Sequence, residues 1–237
     1  MPNQTFVFKQ FSIQQDKCAM KVGTDAVLLG SWVNAEKAQN ILDIGTGTGI
    51  IALMLAQKSP ATIDAIDIDA NACLQASENK NACKWKDRIE IHHTALQNFS
   101  KNSTKKYDVI VSNPPYFIDS SKAVGIERTM ARHTDQLSFE ELIDGVVNLL
   151  SKNGKFCVIL PFKESETFIE IANEKKLFLT KLMRVKTTET KVPKRILMQF
   201  ELSRKTFSEN YIIIEKKERH SFTDEYIEFT KEYYLGF

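Results

Sequence analysis

The sequence predicts an α/β fold: a mostly parallel sheet with helices on both faces. Three observations lead there. From Ile41 onward, short apolar runs alternate with helical patterns. The runs are nearly continuous in apolar residues, as strands covered on both faces are. A glycine-rich turn, Gly45-Thr46-Gly47-Thr48-Gly49, joins the first run to the first helix.

Taken in order, residues 40–44 (NILDI) read as a short buried strand and 49–58 (GIIALMLAQK) as the helix after it. Residues 62–68 form a second strand. Residues 71–81, polar on one side with Ala72, Leu74 and Ala76 nearby, form a helix. Residues 88–92 and 107–112 give a third and a fourth strand. A helix over 139–150 leads into a fifth, 155–160 (KFCVIL). The last third differs. Residues 177–186 and 195–202 read as strands with only the polar stretch 187–194 between them, which predicts a hairpin. Residues 211–215 are a further short strand candidate, and 222–234 reads as a terminal helix. At 237 residues the chain suffices for one large domain or two small ones, and no linker or repeat divides it. A single domain over 1–237 is expected.

Apolar residues make up 43% and charged residues 26%, which fits a globular chain and excludes disorder throughout. Lys and Arg number 32 against 30 Asp and Glu, a net charge of +2, so the chain is neither histone-like nor a polyanion. A local basic patch is still open. Cys18, Cys73, Cys83 and Cys157 form no CxxC pair and match no zinc spacing. They read as reduced thiols of a cytosolic protein. His92 and His93 sit side by side on a strand and point to opposite faces, and His133 and His220 have no partners at ligand spacing; no metal is expected. The first 15 residues lack a signal-peptide core, and the longest apolar stretch, 41–56, is broken by Asp43, three glycines and two threonines. No membrane span and a cytoplasmic location are therefore expected.

The glycine turn carries the first chemical signal. Gly45 permits a tight turn and Gly47 lets a ligand approach the backbone. The spacing is G-x-G-x-G, with Ile50 where the dinucleotide fingerprint needs its last glycine. Asp43 precedes the turn, unfavourable for a pyrophosphate and favourable for an ammonium group. S-adenosylmethionine, with an amino group, a sulfonium and no phosphate, suits that pattern better than a nicotinamide dinucleotide. Asp67, at the end of the second strand, is placed to accept both ribose hydroxyls, with Ile68 beside it; Asp69 reads as a helix cap.

The second signal is Asn113-Pro114-Pro115-Tyr116, directly after the fourth strand. In an open α/β sheet the ligand crevice lies beyond the carboxyl ends of the strands where their order reverses. If the first and fourth strands flank that point, the glycine turn and this corner share one crevice. The Asn113 amide oxygen and the Pro114 carbonyl are acceptors for the two N–H groups of an exocyclic amine on a purine. Tyr116 adds a ring on which an extruded base stacks.

These residues together resemble a class I S-adenosylmethionine-dependent methyltransferase acting on a planar amino group. The resemblance implies a Rossmann-like fold, a mostly parallel seven-stranded sheet with an antiparallel C-terminal hairpin. Phe8-Lys9-Gln10-Phe11, the segment Cys18 to Asp25 (CAMKVGTD) and Leu28-Leu29-Gly30 narrow it. They closely resemble the bacterial valine-tRNA adenine-N6 methyltransferases, which modify the adenine just 3′ of the anticodon, position 37. The resemblance covers nearly the whole chain and implies tRNA as partner; a monomer is favoured, but nothing in the sequence sets the oligomeric state. It also implies that residues 1–35 close over the cofactor, with Lys21, Gly23, Thr24 and Asp25 in its site. Without it, Lys21 reads as a surface lysine and Gly23-Thr24-Asp25 as a helix-capping turn. One position departs from the family pattern: Ala95 stands where an Asp usually holds the adenine amino group, leaving the backbone N–H of Leu96 to serve the ring.

Charge is concentrated in residues 181–205, where eight basic residues face Glu189 and Glu201, a local excess of +6. With Lys122, Arg128 and Arg132 after the Tyr116 corner, this segment, and Lys194 and Arg195 in particular, is expected to line a path for RNA phosphate. Four other readings compete: a release-factor glutamine methyltransferase, an rRNA guanine-N2 methyltransferase, a non-catalytic RNA-binding relative and a dinucleotide oxidoreductase. Only about 40 residues precede the glycine turn, too few for the separate N-terminal domain of the first. The corner of the second more often ends in Phe. The complete Asn113–Tyr116 corner argues against the third, and the glycine spacing against the fourth.

Overall fold

The computed structural model of the protein describes residues 4–18, 20–114 and 137–237. Pro115, Tyr116, Lys122, Arg128, Arg132 and His133 lie outside the described residues. The chain opens with β1 (Thr5–Val7), β2 (Ser12–Gln14) and α1 (Thr24–Trp32). Then follow β3 (Asn40–Ile44), α2 (Ile50–Lys58), β4 (Thr62–Asp67), α3 (Ala70–Asn81), β5 (Ile89–His93), α4 (Leu96–Asn102) and β6 (Tyr107–Ser112). From residue 137 onward come α5 (Phe139–Leu149), β7 (Leu150–Pro161), α6 (Phe162–Glu174), β8 (Phe178–Lys186), β9 (Arg195–Glu201), β10 (Ser208–Ile213) and α7 (Asp224–Thr230).

Among the described residues the main sheet has eight strands, in the order β10-β8-β9-β7-β6-β3-β4-β5. Among these described strands only β9 runs against the rest, antiparallel to both β7 and β8. The expected count of seven is thus corrected by β10, which pairs with β8 in parallel from Ser208↔Lys181 to Ile213↔Lys186. The strand starts before the expected residue 211 because Ser208-Glu209-Asn210 carries no apolar signal. As an edge strand it buries only Ile212, and Arg184 of β8 ion-pairs with Glu209 across the seam. The terminal helix is shorter than 222–234. Phe222 bridges to Glu215, and the Thr223 hydroxyl caps α7 by accepting from the Tyr226 N–H. The third strand starts at Ile89, because Arg88 closes a short 3₁₀ turn instead and its guanidinium donates to the Ala56, Ser59 and Ala61 carbonyls at the end of α2.

Apolar strands explain the layering. One face of the sheet packs α1, α2 and the aromatic residues of both chain ends, including Phe8, Phe11, Tyr226 and Tyr233. The other packs α5 and α6 through Phe156, Phe168 and Phe200. Buried Asn79 of α3 ties the β1–β2 hairpin to the glycine turn, donating to the Gln14 and Thr48 carbonyls at 2.9 Å while its oxygen accepts from the Gln14 N–H. Among the described residues, no helix is long and apolar enough to cross a membrane.

Candidate functional site

Strand β3 lies between β4 and β6, parallel to both, and the connection order reverses there. Ile44 pairs with Ile66 on one side and Ser112 on the other. Gly45 and Asn113 are therefore the first residues past the tips of neighbouring strands, about 4.8 Å apart in the sheet direction. The Ser112 hydroxyl locks the two tips, donating to the Ile44 carbonyl at 3.0 Å. Asn113 is half-buried and Pro114 buried.

The glycine turn hangs from β4. The N–H groups of Gly45 and Thr46 donate to the Ile66 carbonyl at 2.9 and 3.1 Å. Gly45 and Gly47 have φ of +72° and +55°, and a Cβ on either would meet no heavy atom within 4 Å. The turn thus demands glycine for its conformation and fronts open space, a cradle that a ligand can enter. Gly49 closes the turn as the left-handed residue before α2.

Asp67 lies at the edge of that space. Its Oδ2 accepts from the Gly47 N–H at 2.9 Å and its Oδ1 from the Asp69 N–H at 3.0 Å. Ile68 beside it is 56% exposed, an apolar platform next to a carboxylate. Its carbonyl is held by His93 Nε2 at 3.0 Å. Past the tip of β5, the Thr94 N–H donates to the Asp67 carbonyl, Ala95 is the residue before α4, and Leu96 packs inward against Gly145. This donor set fits S-adenosylmethionine: an open glycine cradle, a ribose-level carboxylate and an apolar platform.

Asp43 is placed differently from the expectation. It is fully buried beneath the turn; Oδ2 accepts from the Thr46 hydroxyl at 2.7 Å, and Oδ1 has no hydrogen-bond partner among the described residues. It holds the turn from below instead of lining the cradle. Burial pushes its carboxyl up to about 7, against the Thr46 hydrogen bond, with the Asp67 charge adding to the rise. A carboxyl raised on folding keeps its proton in the native state while the unfolded chain has lost it. Its contribution to stability therefore falls as pH rises from about 4 to about 7. Asp43→Asn removes this loss. Thermal unfolding of the two proteins across that window is expected to show the variant gaining on the native chain by up to about 1.4 kcal/mol per pH unit. Parallel curves would refute the buried, protonated state.

The N-terminal segment meets the same rim at two points. Burial pushes the Cys18 thiol up to about 11, with the Asp67 and Asp69 charges and Cys73 adding to the rise. At the other end, Asp25 Oδ2 accepts from Arg195 Nε at 2.9 Å, with both side chains largely buried. From β4 to β9 is four strand spacings, about 19 Å. Lys21, Gly23 and Thr24 are exposed, and Gly23 and Thr24 line a cleft beside the β8–β9 hairpin with Asp25. The Asp25–Arg195 pair was not legible in the sequence, because 170 residues separate its members.

The basic stretch is split by the topology. The β8–β9 hairpin presents 187–194 at the carboxyl rim: the Lys194 N–H donates to the Val185 carbonyl, and the Lys194 carbonyl accepts from the Phe162 N–H just past β7. Lys191 and Lys194 are exposed there. Arg204 and Lys205 follow β9 at the opposite end, over the Phe178 ring and beside Glu201 respectively. The +6 segment is thus not one path, and Arg195 is committed to Asp25 rather than to solvent. Away from the rim, Asp64, Glu90 and His92 place ligand-type atoms within 4.8 Å of one another. The Asp64 carboxylate is already met by Lys105 Nζ at 2.7 Å, His92 Nε2 at 2.8 Å and the Tyr107 hydroxyl at 2.9 Å.

Comparison with known proteins places this geometry. A family profile described as the methyltransferase small domain matches residues 18–172. A protein of Bacteroides fragilis named tRNA1(Val) (adenine(37)-N6)-methyltransferase is 48% identical over 236 residues, 99% of each chain. Relatives of the same name from Parabacteroides distasonis and Trichodesmium erythraeum are each 45% identical, over 99% and 100% of both chains. Among solved structures, one titled as a predicted O-methyltransferase from Agrobacterium tumefaciens superposes with a TM-score of 0.70 at 16% identity, covering 88% of this chain and 96% of that one. A ribosomal protein L11 methylase from Lactobacillus delbrueckii gives 0.55 at 18%, covering 80% and 83%. These two likenesses show the fold.

Proposed function

The chain belongs to the small-domain methyltransferases and, within them, to the tRNA1(Val) (adenine(37)-N6)-methyltransferase family, and on that premise we propose that it methylates N6 of the adenine at position 37 of a valine tRNA. The observation that carries the reading is the juxtaposition of the open glycine cradle and Asn113 on neighbouring parallel tips. Gly45, Gly47, Asp67 and Ile68 would hold S-adenosylmethionine, with Ala95 and Leu96 near its base. Bound there, it supplies an electrophilic methyl on a sulfonium. Asn113 and the Pro114 carbonyl accept the two N–H groups of the target amine. That draws its lone pair out of conjugation and aims it at the cradle. No strong base is needed, since the proton leaves to water after transfer. The setting is the cytoplasm, where tRNA is processed.

The test is incubation with labelled S-adenosylmethionine and total bacterial tRNA, followed by nucleoside analysis. N6-methyladenosine in one tRNA species is expected. Cofactor binding without turnover on any RNA would replace the reading with that of a non-catalytic binding protein.

Lys191 and Lys194 are the hairpin cations placed to meet tRNA phosphate. Their joint replacement by alanine is expected to flatten the log–log salt dependence of tRNA binding by about one unit and weaken all tRNAs alike. Replacing Arg195 instead disturbs the segment held by Asp25, so its main effect should fall on the KM for the cofactor. An unchanged salt slope in the double lysine variant would move the phosphate path elsewhere.

A further inference from the structure

A second concavity opens beside the hairpin. It is a cleft of about 780 Å³ between β1, the start of α1, the hairpin and the chain's last residues. Its volume lies in the range of sites that enclose one small molecule. None of Gly45, Gly47 or Asp67 lines it, so it is not the glycine cradle itself; Gly23, Thr24 and Asp25, which the family resemblance assigns to the cofactor site, form part of its wall. Its walls carry Phe6, Phe222, Tyr234 and Phe237, all only partly buried. They form one ring cluster: Phe6–Tyr234 centroids lie 6.2 Å apart, Tyr234–Phe237 5.2 Å and Phe222–Phe237 5.1 Å. Lys194 lines it as an exposed cation, with Lys191 on the same hairpin. Arg195 lines it too, held by Asp25.

Flat rings beside cations are how proteins take single-stranded nucleic acid: the rings stack on bases and the cations meet phosphates. The cleft's edge at Lys194 lies on the same rim as Asn113, two strands along from β6. We infer that this cleft takes a second extruded nucleobase of the tRNA anticodon loop, stacked among Phe6, Phe222, Tyr234 and Phe237 with its phosphate on Lys194. The inference rests on the tRNA reading above and adds to it a specificity pocket. An enzyme that holds both the target adenine and a neighbouring base distinguishes its tRNA by loop conformation as well as by the target itself.

The experiment uses valine tRNA ligated from synthetic halves, intact or with one loop nucleotide at a time made abasic outside the target adenine. Binding is measured for the native enzyme and for Phe222→Leu, which keeps apolar volume and removes the ring. At one loop position the abasic substitution is expected to weaken the native enzyme roughly five- to hundredfold. Phe222→Leu should weaken intact tRNA by a similar factor, and the two losses should not multiply when combined. If Phe222→Leu is unfolded at the assay temperature, Phe6→Leu, elsewhere in the same ring cluster, takes its place. Native-like binding by the folded variant, or losses that multiply at every position, would overturn the pocket. Methylation of the intact tRNA by the native enzyme, run in parallel, separates the two failures. If the native enzyme fails to methylate, the tRNA reading falls; if it methylates but the variants bind normally, only the pocket does.

Discussion

Asn113→Ala is expected to lower kcat at least a hundredfold and leave the affinity for S-adenosylmethionine within about twofold. The residue follows Ser112, whose hydroxyl fixes the β6 tip against β3, so its position is set by the sheet and not by a loop of its own. Its half-buried side chain stands next to the glycine turn in strand order. The amide oxygen matters most when the target nitrogen becomes tetrahedral and its N–H bonds polarise. An acceptor that gains strength only at that stage supports turnover rather than binding. Loss of one preorganised electrostatic contact of this kind costs about 10²–10³ in rate. Single-turnover kinetics with saturating cofactor and tRNA measure the effect directly. A variant that turns over near the native rate would remove Asn113 from the chemistry and leave the Pro114 carbonyl as the acceptor to test.

What the sequence made legible was local. Residues 40–44 and 107–112 are strands at the expected bounds, since their apolar runs are short and end at glycine or proline signals. The glycine turn and the Asn113 corner were readable because each sits within a few residues of its strand. Their approach to each other followed from the general rule on strand reversal, and the order β6-β3-β4 satisfies that rule. Pairings between distant residues left no such signal. The edge strand β10 hides behind Ser208-Glu209-Asn210, whose polarity reflects one open side. Asp43 read as a carboxylate facing the ligand's ammonium group because it directly precedes the glycines, whereas the turn folds over it. Arg195 counted as one of eight cations until the topology placed it against Asp25 and sent Arg204 and Lys205 to the far end. Composition counts charges, and only the register of β7 with β9 decides which of them share a rim.

Asp67→Ala is expected to produce the opposite signature: affinity for S-adenosylmethionine down about thirtyfold or more, roughly 2 kcal/mol, with kcat at saturating cofactor changed only a few-fold. Each Asp67 oxygen already accepts one backbone N–H, from Gly47 and from Asp69. A carboxylate oxygen accepts two hydrogen bonds, so each has one acceptor site left for a ribose hydroxyl. Alanine removes those sites and also frees the Gly47 N–H, loosening the turn that faces the ligand. Both effects act on binding, and neither reaches the nitrogen that attacks. Isothermal calorimetry with S-adenosylmethionine reads the loss, and equal affinity in the native and variant proteins would refute the ribose role. The neighbouring strand offers a gain-of-affinity counterpart. Ala95 stands just before α4, after the Thr94 N–H that donates to the Asp67 carbonyl. Ala95→Asp places a carboxylate at that tip and supplies α4 with the cap it lacks. Tighter cofactor binding and a higher Tm are both expected, and the first without the second would show that the new carboxylate has turned to the ligand rather than to the helix.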